Sequence, residues 1–514
     1  MKYLIGIDMG TLGTKCMIFD ENGKAFSCSF EPHIPPYQPN PYISEQDPMD
    51  WWSAVCKTTA EAMKRSEVSP SDVLCIGLSS QGGGLVCLDS EDNPVRPAMI
   101  YSDIRAHREA QELIEKFGRS RLMELHGSTI PTLRIGASSP VSKIQWMKKH
   151  EPELLKKTER FLYSKTYLCY KLTGESVFDD YSASGTGAGN FDTMRWIPQI
   201  LEEVEVSADS FGKICRAWEI AGYITEKASK ETGLPEGTPV SAGVWDGMCN
   251  IVGSGCAQKG DLMDVTGTTE IITLLEDKIP PNFRPCFPYF HQISKGLWVW
   301  YSSPRPTGAI LAWFAKEFAY IETQLANRLD ENVFRLLDLE AERSSPGSGN
   351  MIFFPHTSGM MSPIRDLNAR GFFLGVNLSH RRSDFIRAIM EGIAYGIRHS
   401  LEVFEEEGGH MSNTISVSGG GSNSDLWNQI KCDVLGRNVE TLSVSETGCL
   451  GAAILGAIGI KLYSSIEEAT DSMVQVKEKL EPQRDTHKKY SKLFRLYLGA
   501  YESLGQTFAE LASL

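Results

Sequence analysis

The sequence of 514 residues lacks the features that mark several simple classes of protein. Its 12 cysteines include no C-x-x-C pair and no His/Cys zinc spacing, which argues against a disulfide-stapled module or a structural zinc domain. The longest strongly apolar run, 452–460, contains two glycines and is far shorter than the ~20 residues that span a bilayer. The sequence therefore predicts reduced, mostly buried thiols and no membrane-crossing segment.

Positive charge is also scarce. The chain has 51 Lys and Arg against 65 Asp and Glu, a net charge of −14, which disfavours a general binding surface for nucleic acid or anionic membranes. Any phosphate that the protein binds must therefore be held by local chemistry. The N-terminus reaches Asp8 before any apolar core of secretory length, so a cytoplasmic location is expected.

The chain has ample material for more than one packed core. Its length is about three times the usual 150-residue domain, and 41% of its residues are hydrophobic. Strand-like runs and turns fill the N-terminus, while helical spacing appears at 105–117, 141–149 and 385–404. This mixed order predicts an α/β protein with two domains, 1–246 and 247–514.

The first glycine-containing loop lies in GIDMGTLGTK, 6–15. A strand delivers Asp8, and small residues then turn the chain, so that backbone N–H groups and the hydroxyls of Thr11 and Thr14 can surround an anion. Lys15 can add charge. The spacing is not that of a Walker A loop or of G-x-G-x-x-G, and an ordinary glycine hairpin is the alternative interpretation.

Two later segments repeat this pattern. DVTGTTE, 264–270, again places glycine and threonines between strand-like runs, and SVSGGGSNSDLW, 416–427, joins a strand to a helix. Either segment alone could be a plain turn or βα connection. Three such loops in one chain favour phosphate or nucleotide binding, and the first two, about 250 residues apart, suggest a duplicated architecture.

Asp246 follows the apolar run PVSAGV and precedes the small-residue segment GMCNIVGSG. Asp in such a position is commonly a helix N-cap. At the mouth of an open α/β sheet, where ligands tend to bind, its carboxylate could instead accept a proton from a sugar hydroxyl. No G-x-S-x-G elbow or H-E-x-x-H helix occurs, so hydrolase and zincin chemistry have no support.

Together these motifs resemble the FGGY carbohydrate kinases, within the superfamily of sugar kinases, heat-shock proteins and actin. The resemblance runs from GIDMGTLGTK to TGCLGAAILGA and is similar to xylulokinase-type members. The further motifs that carry it are EQDPMDWW, YLCYKLTGE with DDYSASGTG, WDGMCNIVGSG and SGGGSNSDLWNQI. It implies two ribonuclease-H-like domains, of the actin and hexokinase type, flanking a deep catalytic cleft.

The resemblance also implies roles for individual residues. Asp246 aligns with the catalytic aspartate that deprotonates the attacking hydroxyl, and Asp8 with a residue that helps to hold magnesium. The implied phosphate and nucleotide contacts of ATP are Thr11, Gly13, Thr14 and Lys15 in the first loop, Gly267 and Thr268 in the second, and Gly308, Gly420, Gly421 and Ser424. Because phosphoryl transfer depends mainly on positioning and charge neutralisation, an Asp of ordinary pKa is expected to suffice.

The predicted sugar loop departs from the family pattern. Ordinary xylulokinases place Met-His there and glycerol kinases Arg-Glu, whereas this chain has Gln81 and Gly82 followed by two more glycines. Gln81 could donate and accept hydrogen bonds to sugar hydroxyls, and the glycines would leave room. A similar Q-G-x-G loop occurs in kinases of L-xylulose or 3-keto-L-gulonate and of erythritol.

Further departures affect the predicted sugar pocket. Asp103, in YSDIR where many members have W-N-D-x-R, is expected to bind sugar with support from Arg105. Gly247 stands where glycerol kinases carry Gln and many xylulokinases Asn, so one polar contact is missing. Trp245 and Trp300 are candidates for stacking on a sugar face, with core or rim positions as the equal alternative.

The sequence therefore predicts an ATP- and Mg²⁺-dependent kinase of a terminal hydroxyl in a small ketose, with xylulose as the leading acceptor. The alternatives are a kinase of L-xylulose, 3-keto-L-gulonate, erythritol or glycerol, or a non-catalytic, ATP-binding actin-like sensor. The expected partner is a small sugar or polyol, and neither nucleic acid nor a membrane. A homodimer is an expectation from the family alone.

Overall fold

The computed structural model of the chain describes residues 2–127, 134–280, 289–291, 296–304 and 307–513. The chain packs into two compact units. Unit 1 comprises Met1–Gly255 and Glu446–Val474, and unit 2 comprises Cys256–Ser445 and Gln475–Leu514.

Unit 1 is built on a mixed sheet. Its strands lie in the spatial order Ile220–Tyr223, Pro239–Ser241, Val73–Ser80, Tyr3–Met9, Gly13–Asp20 and Ala25–Pro32, and Val244–Trp245 also pairs with Val73–Ser80. The last three strands of that order form an antiparallel meander, as the N-terminal pattern predicts. Tyr3–Met9, Val73–Ser80 and Val244–Trp245 are parallel, so their carboxyl ends meet at one edge of the sheet.

Helices and short strand pairs surround this sheet. The helices are Pro48–Ser66, His107–Phe117, Arg119–His126, Pro140–His150, Pro152–Lys157, Ser164–Thr173, Asp180–Gly185, Pro198–Glu203, Glu226–Thr232, Asp246–Gly253, Thr447–Gly459 and Ile466–Met473, with 3₁₀ turns at Pro70–Asp72 and Ala208–Ser210. The short pairs are Glu45–Gln46 with Ala98–Met99, Val86–Leu88 with Arg160–Leu162, Val177–Asp179 with Lys213–Cys215, and Gly189–Asn190 with Arg195–Trp196.

The helix Thr447–Gly459 packs closely against its neighbours in unit 1 because glycines lie at the contacts. Some of these glycines are on the helix and others are on the elements that it contacts. A Cβ on Gly6 of the sheet would lie 1.9 Å from the carbonyl oxygen of Cys449, and one on Gly451 would lie 1.9 Å from that of Cys249. Only glycine permits backbones to approach this closely. The division by packing therefore differs from the predicted ranges 1–246 and 247–514: residues 247–255 and 446–474 pack with the N-terminal part.

Unit 2 repeats the layout around its own mixed sheet. The spatial order of its strands is Tyr289–His291, Trp298–Ser302, Glu270–Glu276, Leu262–Thr266, Thr414–Ser418, Asn438–Leu442 and Val476–Leu480. The first four strands are successively antiparallel, the next two pairings are parallel and the last is antiparallel. A separate pair joins Ile352–Phe354 and Phe372–Leu374.

The helices of unit 2 include one long central helix, Arg382–Glu406, whose buried side chains contribute to both large core clusters of the unit. The others are Gly308–Phe318, Tyr320–Leu329, Val333–Ala341, Asp425–Leu435, Arg484–Ser503 and Gly505–Ser513, with 3₁₀ turns at Ser348–Asn350 and Gly420–Asn423. The helical spacing at 385–404, 105–117 and 141–149 is confirmed to within a few residues.

Within the residues that the structure describes, no helix is long and apolar enough to cross a membrane. The cysteines that it describes are all free thiols, and most of them are buried.

Candidate active site

Three parallel strands bring the predicted catalytic residues to one edge of the unit 1 sheet. Asp8, near the end of its strand, lies opposite Ser79 in the pairing register, and Val244 lies opposite the same Ser79 on the other side. Asp246 follows directly after Trp245, the last residue of that strand. The sheet register therefore places Asp8 beside Ser79, and Asp246 follows two residues after the position opposite Ser79, at the same edge of the sheet.

Asp246 is the first residue of the helix Asp246–Gly253, but its side chain does not cap that helix. Trp245 occupies the N-cap position without a side-chain hydrogen bond, and the backbone N–H of Gly247 donates to Oδ1 of Asp246 at 2.7 Å. Burial, and then the nearby charge of Asp8, raise the pKa of Asp246 to about 7. The expectation of an ordinary pKa is therefore wrong, and at neutral pH this carboxylate is poised to accept a proton.

The carboxyl group of Asp8 is buried and held by Ser79, whose hydroxyl donates to Oδ1 at 2.6 Å. Burial raises its pKa, while the Ser79 hydrogen bond and the charge of Lys15 act in the opposite direction. Two neighbouring carboxyl groups with raised pKa values form a site of excess negative charge. Such a site is completed by a proton or by a cation.

The first predicted phosphate loop has two backbone donors to offer. Among the described residues, no acceptor receives a hydrogen bond from the amides of Thr11 and Leu12. Its side chains are placed differently from the sequence prediction. The hydroxyl of Thr14 is buried and bonds His33 Nε2 at 2.9 Å, and Lys15 forms an ion pair with Glu446.

Gly13 is enclosed by the neighbouring strand. A Cβ there would lie 2.3 Å from the ring of Phe30 and 2.7 Å from the carbonyl oxygen of Glu31. The structure therefore supplies a packing reason for this glycine. Its predicted contact with phosphate stays a prediction.

Gln81 lies inside the protein rather than at an open sugar surface. It is 1% exposed, its Oε1 accepts a hydrogen bond from the Thr11 hydroxyl at 3.1 Å, and its Nε2 donates to Gln46 Oε1 at 3.2 Å. Gln46 in turn donates to the backbone oxygens of Thr11 and Ile34. Gln81 is thus engaged by Thr11 and Gln46, and its predicted contact with sugar stays a prediction.

Asp103 and Arg105 form the pair that the sequence predicts, but Asp103 is fully buried at 0% exposure. Arg105 donates from Nε and Nη2 to the Asp103 carboxylate at 2.6–3.0 Å, and the backbone N–H of Ser44 donates to Oδ2 at 2.8 Å. Arg105 also bonds Glu45 at 2.6 Å. The oxygens of Asp103 are thus engaged by Arg105 and Ser44, and its predicted contact with sugar stays a prediction.

The indole of Trp245 fills the space that two glycines leave. A Cβ on Gly82 would lie 2.8 Å from Trp245 Cε3, and one on Gly247 would lie 3.3 Å from Cζ3 and Cη2. Because Gly82 and Gly247 have no side chains, the ring of Trp245 fits beside Asp246. The ring therefore occupies the space that the two glycines leave. Trp300, the other aromatic candidate, is 0% exposed and donates to the Lys278 oxygen, so it belongs to the core of unit 2.

The second predicted phosphate loop connects Leu262–Thr266 to Glu270–Glu276 in unit 2. Thr268 is exposed there, and the N–H of Gly308 donates to the Gly267 oxygen at 3.0 Å. A Cβ on Gly308 would lie 2.5 Å from that oxygen, so only glycine allows this approach. The structure thus brings Gly267, Thr268 and Gly308 together, and their predicted contact with the nucleotide stays a prediction.

The glycine cluster after Thr414–Ser418 meets the same loop. A Cβ on Gly421 would lie 2.4 Å from Thr266 Cγ2, whereas Gly420 is exposed with open space around it. Ser424 is the N-cap of Asp425–Leu435, and its hydroxyl accepts from the backbone N–H of Trp427 at 3.1 Å. These loops converge at one edge of the unit 2 sheet.

Sequence reasoning missed the buried lysine beneath these loops. Lys431 is 0% exposed and forms ion pairs with Asp264 and Glu270 while also donating to the Thr266 hydroxyl. The sequence pattern that could have indicated its burial is its position one turn after Trp427, on the apolar side of the helix Asp425–Leu435. Gln46 and Glu446 were missed as well; Gln46 lies in the quoted motif EQDPMDWW, but nothing local marks Glu446 as a partner of Lys15.

Comparison with known protein families agrees with this geometry. Residues 3–253 match the model of the N-terminal domain of the FGGY family of carbohydrate kinases, and residues 262–460 match that of the C-terminal domain. The chain belongs to the FGGY family of carbohydrate kinases. It is therefore a phosphotransferase, and membership of a kinase family implies ATP as the phosphate donor.

Individual relatives agree with this assignment along the whole chain. It is 30% identical over 509 residues to the xylulose kinase of Bacillus subtilis (strain 168), covering 98% of this chain and 97% of that protein. It is 27% identical over 511 residues to the gluconokinase of the same organism, covering 99% and 98%. The crystal structure of xylulose kinase from Rhodospirillum rubrum matches with a TM-score of 0.81 and 25% identity, covering 99% of this chain and 100% of that chain.

The fold prediction is confirmed by these findings: the chain has the two-domain α/β fold of FGGY kinases. In the described parts of the chain, no group of three or more His, Cys, Asp or Glu side chains could hold a metal ion by itself. Mg²⁺ in kinases is commonly held by one or two carboxylates together with substrate phosphates and water. The buried Asp8 carboxylate, with Asp246 nearby, fits that kind of site.

Proposed function

We propose that this FGGY kinase transfers the γ-phosphate of ATP to a terminal hydroxyl of a small ketose, with xylulose as the leading acceptor. One observation carries the proposal: Asp246 and Asp8 stand at the same edge of the unit 1 sheet, and neither is neutralised by a direct ion pair among the described residues. The names of the xylulose kinase relatives support the choice of acceptor.

Asp246 is the proposed catalytic base. The acceptor hydroxyl oxygen attacks the γ-phosphorus, its proton passes to the Asp246 carboxylate, the new O–P bond forms and the bond to the bridging oxygen of ADP breaks. A pKa of about 7 suits this role because the carboxylate is substantially ionised at neutral pH yet basic enough to take a proton.

Asp8 is the proposed ligand of Mg²⁺, and Ser79 orients it by donating to Oδ1. The bound ion would supply charge neutralisation to the nucleotide phosphates. The unengaged amides of Thr11 and Leu12 are placed to donate to a phosphate oxygen, and the Thr11 hydroxyl keeps the loop in position through Gln81. Lys15 contributes charge only as part of its pair with Glu446.

We assign acceptor binding to unit 1 and nucleotide binding mainly to unit 2. The Trp245 indole, seated by Gly82 and Gly247, offers an apolar face to a sugar beside the catalytic carboxylate. In unit 2 the exposed Thr268 and Gly420 are proposed to contact the nucleotide, with Gly267, Gly308, Gly421 and Ser424 holding those loops together. A homodimer and a cytoplasmic location stay predictions.

The test is ADP release from ATP and Mg²⁺ across a panel of D-xylulose, L-xylulose, erythritol, glycerol and sugar acids. We expect release that depends on the acceptor and is fastest with a ketose of five carbons. Slow release that does not depend on any acceptor, or filament formation with ATP, would instead support the actin-like sensor. Fast release with glycerol alone would move the acceptor assignment to polyols.

A further inference from the structure

A second polar cluster in unit 1 contains side chains without hydrogen-bond partners. The Arg134 Nε atom is buried and, within the described residues, bonds nothing; the same is true of the Tyr181 hydroxyl and of the Ser184 hydroxyl. Tyr181 is 8% exposed and Ser184 is 2% exposed. Leaving a buried polar group unpaired costs roughly 1–3 kcal/mol, so a cluster of such groups calls for a ligand.

No carboxylate in the described part of the chain balances the charge of Arg134. The groups that act on it electrostatically are the Tyr163 and Tyr181 hydroxyls, and burial lowers the pKa of its guanidinium. His126, also nearby, bonds the Gly187 oxygen at 2.9 Å, and burial lowers its pKa as well. As far as the described residues show, the cluster is therefore a positive site without a counter-ion.

The acidic residues next to Tyr181 are already engaged. Asp179 pairs with Lys165 at 3.1 Å, and Asp180 pairs with Arg216 at 2.6 Å. Both acids are thus committed to other cations. An arginine that served only to hold the fold would be expected to have such a partner itself.

The cluster adjoins the proposed acceptor site. The Tyr163 hydroxyl lies within hydrogen-bond reach of the backbone of Gly83, and the neighbouring Ser164 hydroxyl donates to the Gly83 oxygen at 2.9 Å. The helix that carries Tyr181 and Ser184, Asp180–Gly185, packs against the strand that leads into Asp246. A group bound at Arg134 therefore lies beside the glycine loop and the catalytic base.

The chemistry of the cluster fits a carboxylate. A guanidinium presents two parallel N–H donors that match the two oxygens of a carboxylate, and the hydroxyls can donate to the remaining lone pairs. The single cation matches a single negative charge. We propose that Arg134, Tyr163 and Tyr181 form a carboxylate subsite of the acceptor pocket, so that sugar acids are phosphorylated as well as neutral ketoses. This inference rests on the proposed function.

The experiment compares D-gluconate with D-glucitol, two acceptors that differ only in a terminal carboxylate. We expect the wild-type enzyme to prefer D-gluconate in kcat/KM, and Arg134→Met to reduce the gluconate-to-glucitol ratio by about 10–100-fold, since a hydrogen bond to a charged group is worth ~1.5–3 kcal/mol. Arg134→Lys should retain part of the preference. Arg119→Gln, an exposed arginine of the same unit, is the matched control and should leave the ratio unchanged.

A second readout separates a ligand role from a structural one. D-gluconate without ATP should raise the melting temperature of the wild-type enzyme but not that of Arg134→Met, whose own melting temperature should not fall because an unpaired cation is removed. A ratio unchanged by Arg134→Met, or a fall in melting temperature without a change in the ratio, would overturn the inference. If Arg134→Met does not fold, the gluconate-to-glucitol ratio of kcat/KM is measured in Tyr181→Phe and Arg134→Lys instead. An unchanged ratio in both variants would overturn the inference.

The two proposals fail in different ways. ADP release with D-xylulose but with no sugar acid would overturn the carboxylate subsite alone. No acceptor-dependent release with D-xylulose, D-gluconate or D-glucitol would overturn the proposed function itself.

Discussion

Each unit has an aspartate in the strand that precedes its glycine loop, yet the two aspartates have different partners. In unit 1, Asp8 lies near the end of the strand before the first glycine loop; in unit 2, Asp264 lies in the strand before the second. Asp264 forms a buried ion pair with Lys431. Among the described side chains, only the Ser79 hydroxyl donates to Asp8, because the nearby Lys15 is paired with Glu446.

We expect this difference to separate a structural acid from a functional one. Asp264 shares the buried cation Lys431 with Glu270, and burial together with the charge of Asp264 raises the pKa of Glu270. A buried carboxylate without one, next to the second acid Asp246, has a raised pKa and attracts a cation. We therefore expect Asp8 to serve the chemistry in unit 1 and Asp264 to hold its loop in place in unit 2.

Removing the unpaired acid of unit 1 is expected to have the largest effect. Asp8→Asn should lower kcat by about 100-fold or more and weaken the dependence of the rate on Mg²⁺, since a preorganised charge contact is worth that much. Steady-state kinetics across a magnesium titration measure both. The fold should survive, and circular dichroism checks this. If this variant kept the wild-type kcat, Asp8 would not be a functional acid and would not differ from Asp264 in that respect.

Breaking the ion pair of unit 2 should affect stability more than chemistry. Lys431→Met leaves Asp264 buried without its cation and is expected to lower the free energy of unfolding by about 3–5 kcal/mol. Thermal and urea unfolding measure this loss. Lys431→Met combined with Asp264→Leu should recover part of it, because Glu270 then stays buried without its cation; a single variant as stable as the wild type would show that the pair does not hold the loop.

The pH dependence of turnover should reflect the acid pair of unit 1. Because the pKa of Asp246 is raised to about 7, its base form is lost as pH falls through that value, and kcat/KM should fall tenfold per pH unit below it. An aspartate of ordinary pKa would keep the rate flat down to about pH 5. A profile between pH 5 and 9, with enzyme stability checked at each pH, distinguishes the two.

The smallest expected effect concerns the support of the first loop. Gln81→Ala removes the hydrogen bond to the Thr11 hydroxyl and should reduce kcat by roughly 5–10-fold, in keeping with a hydrogen bond worth ~1 kcal/mol. KM for the acceptor should change little, because Gln81 does not face open space. Gln111→Ala, at an exposed position, is the control; a selective rise in acceptor KM with Gln81→Ala would restore Gln81 as a sugar ligand.

Local patterns predicted the elements well because they depend on near neighbours. The helical periodicity at 385–404 predicts the helix found there, and the alternating runs and turns at the N-terminus predict its antiparallel strands. The packing of 446–474 with unit 1 could not be predicted, since it depends on glycines far apart in sequence, such as Gly6 and Gly451, that let backbones approach.

The candidate site shows the same limit. Asp8 and Asp246 were predicted from strand ends and family motifs, and the parallel register brings them together. The engagement of Gln81 by Gln46, of Lys15 by Glu446 and of Trp245 by two glycines depends on long-range contacts that no local pattern records.

The most direct test of the account is a single-turnover measurement of phosphate transfer from ATP to D-xylulose in Asp246→Asn. If Asp246 is the base, no sugar phosphate should be detectable by ³¹P NMR on the time scale of wild-type turnover, with unchanged ATP affinity and an intact fold. Sugar phosphate formed at the wild-type rate would contradict this role of Asp246.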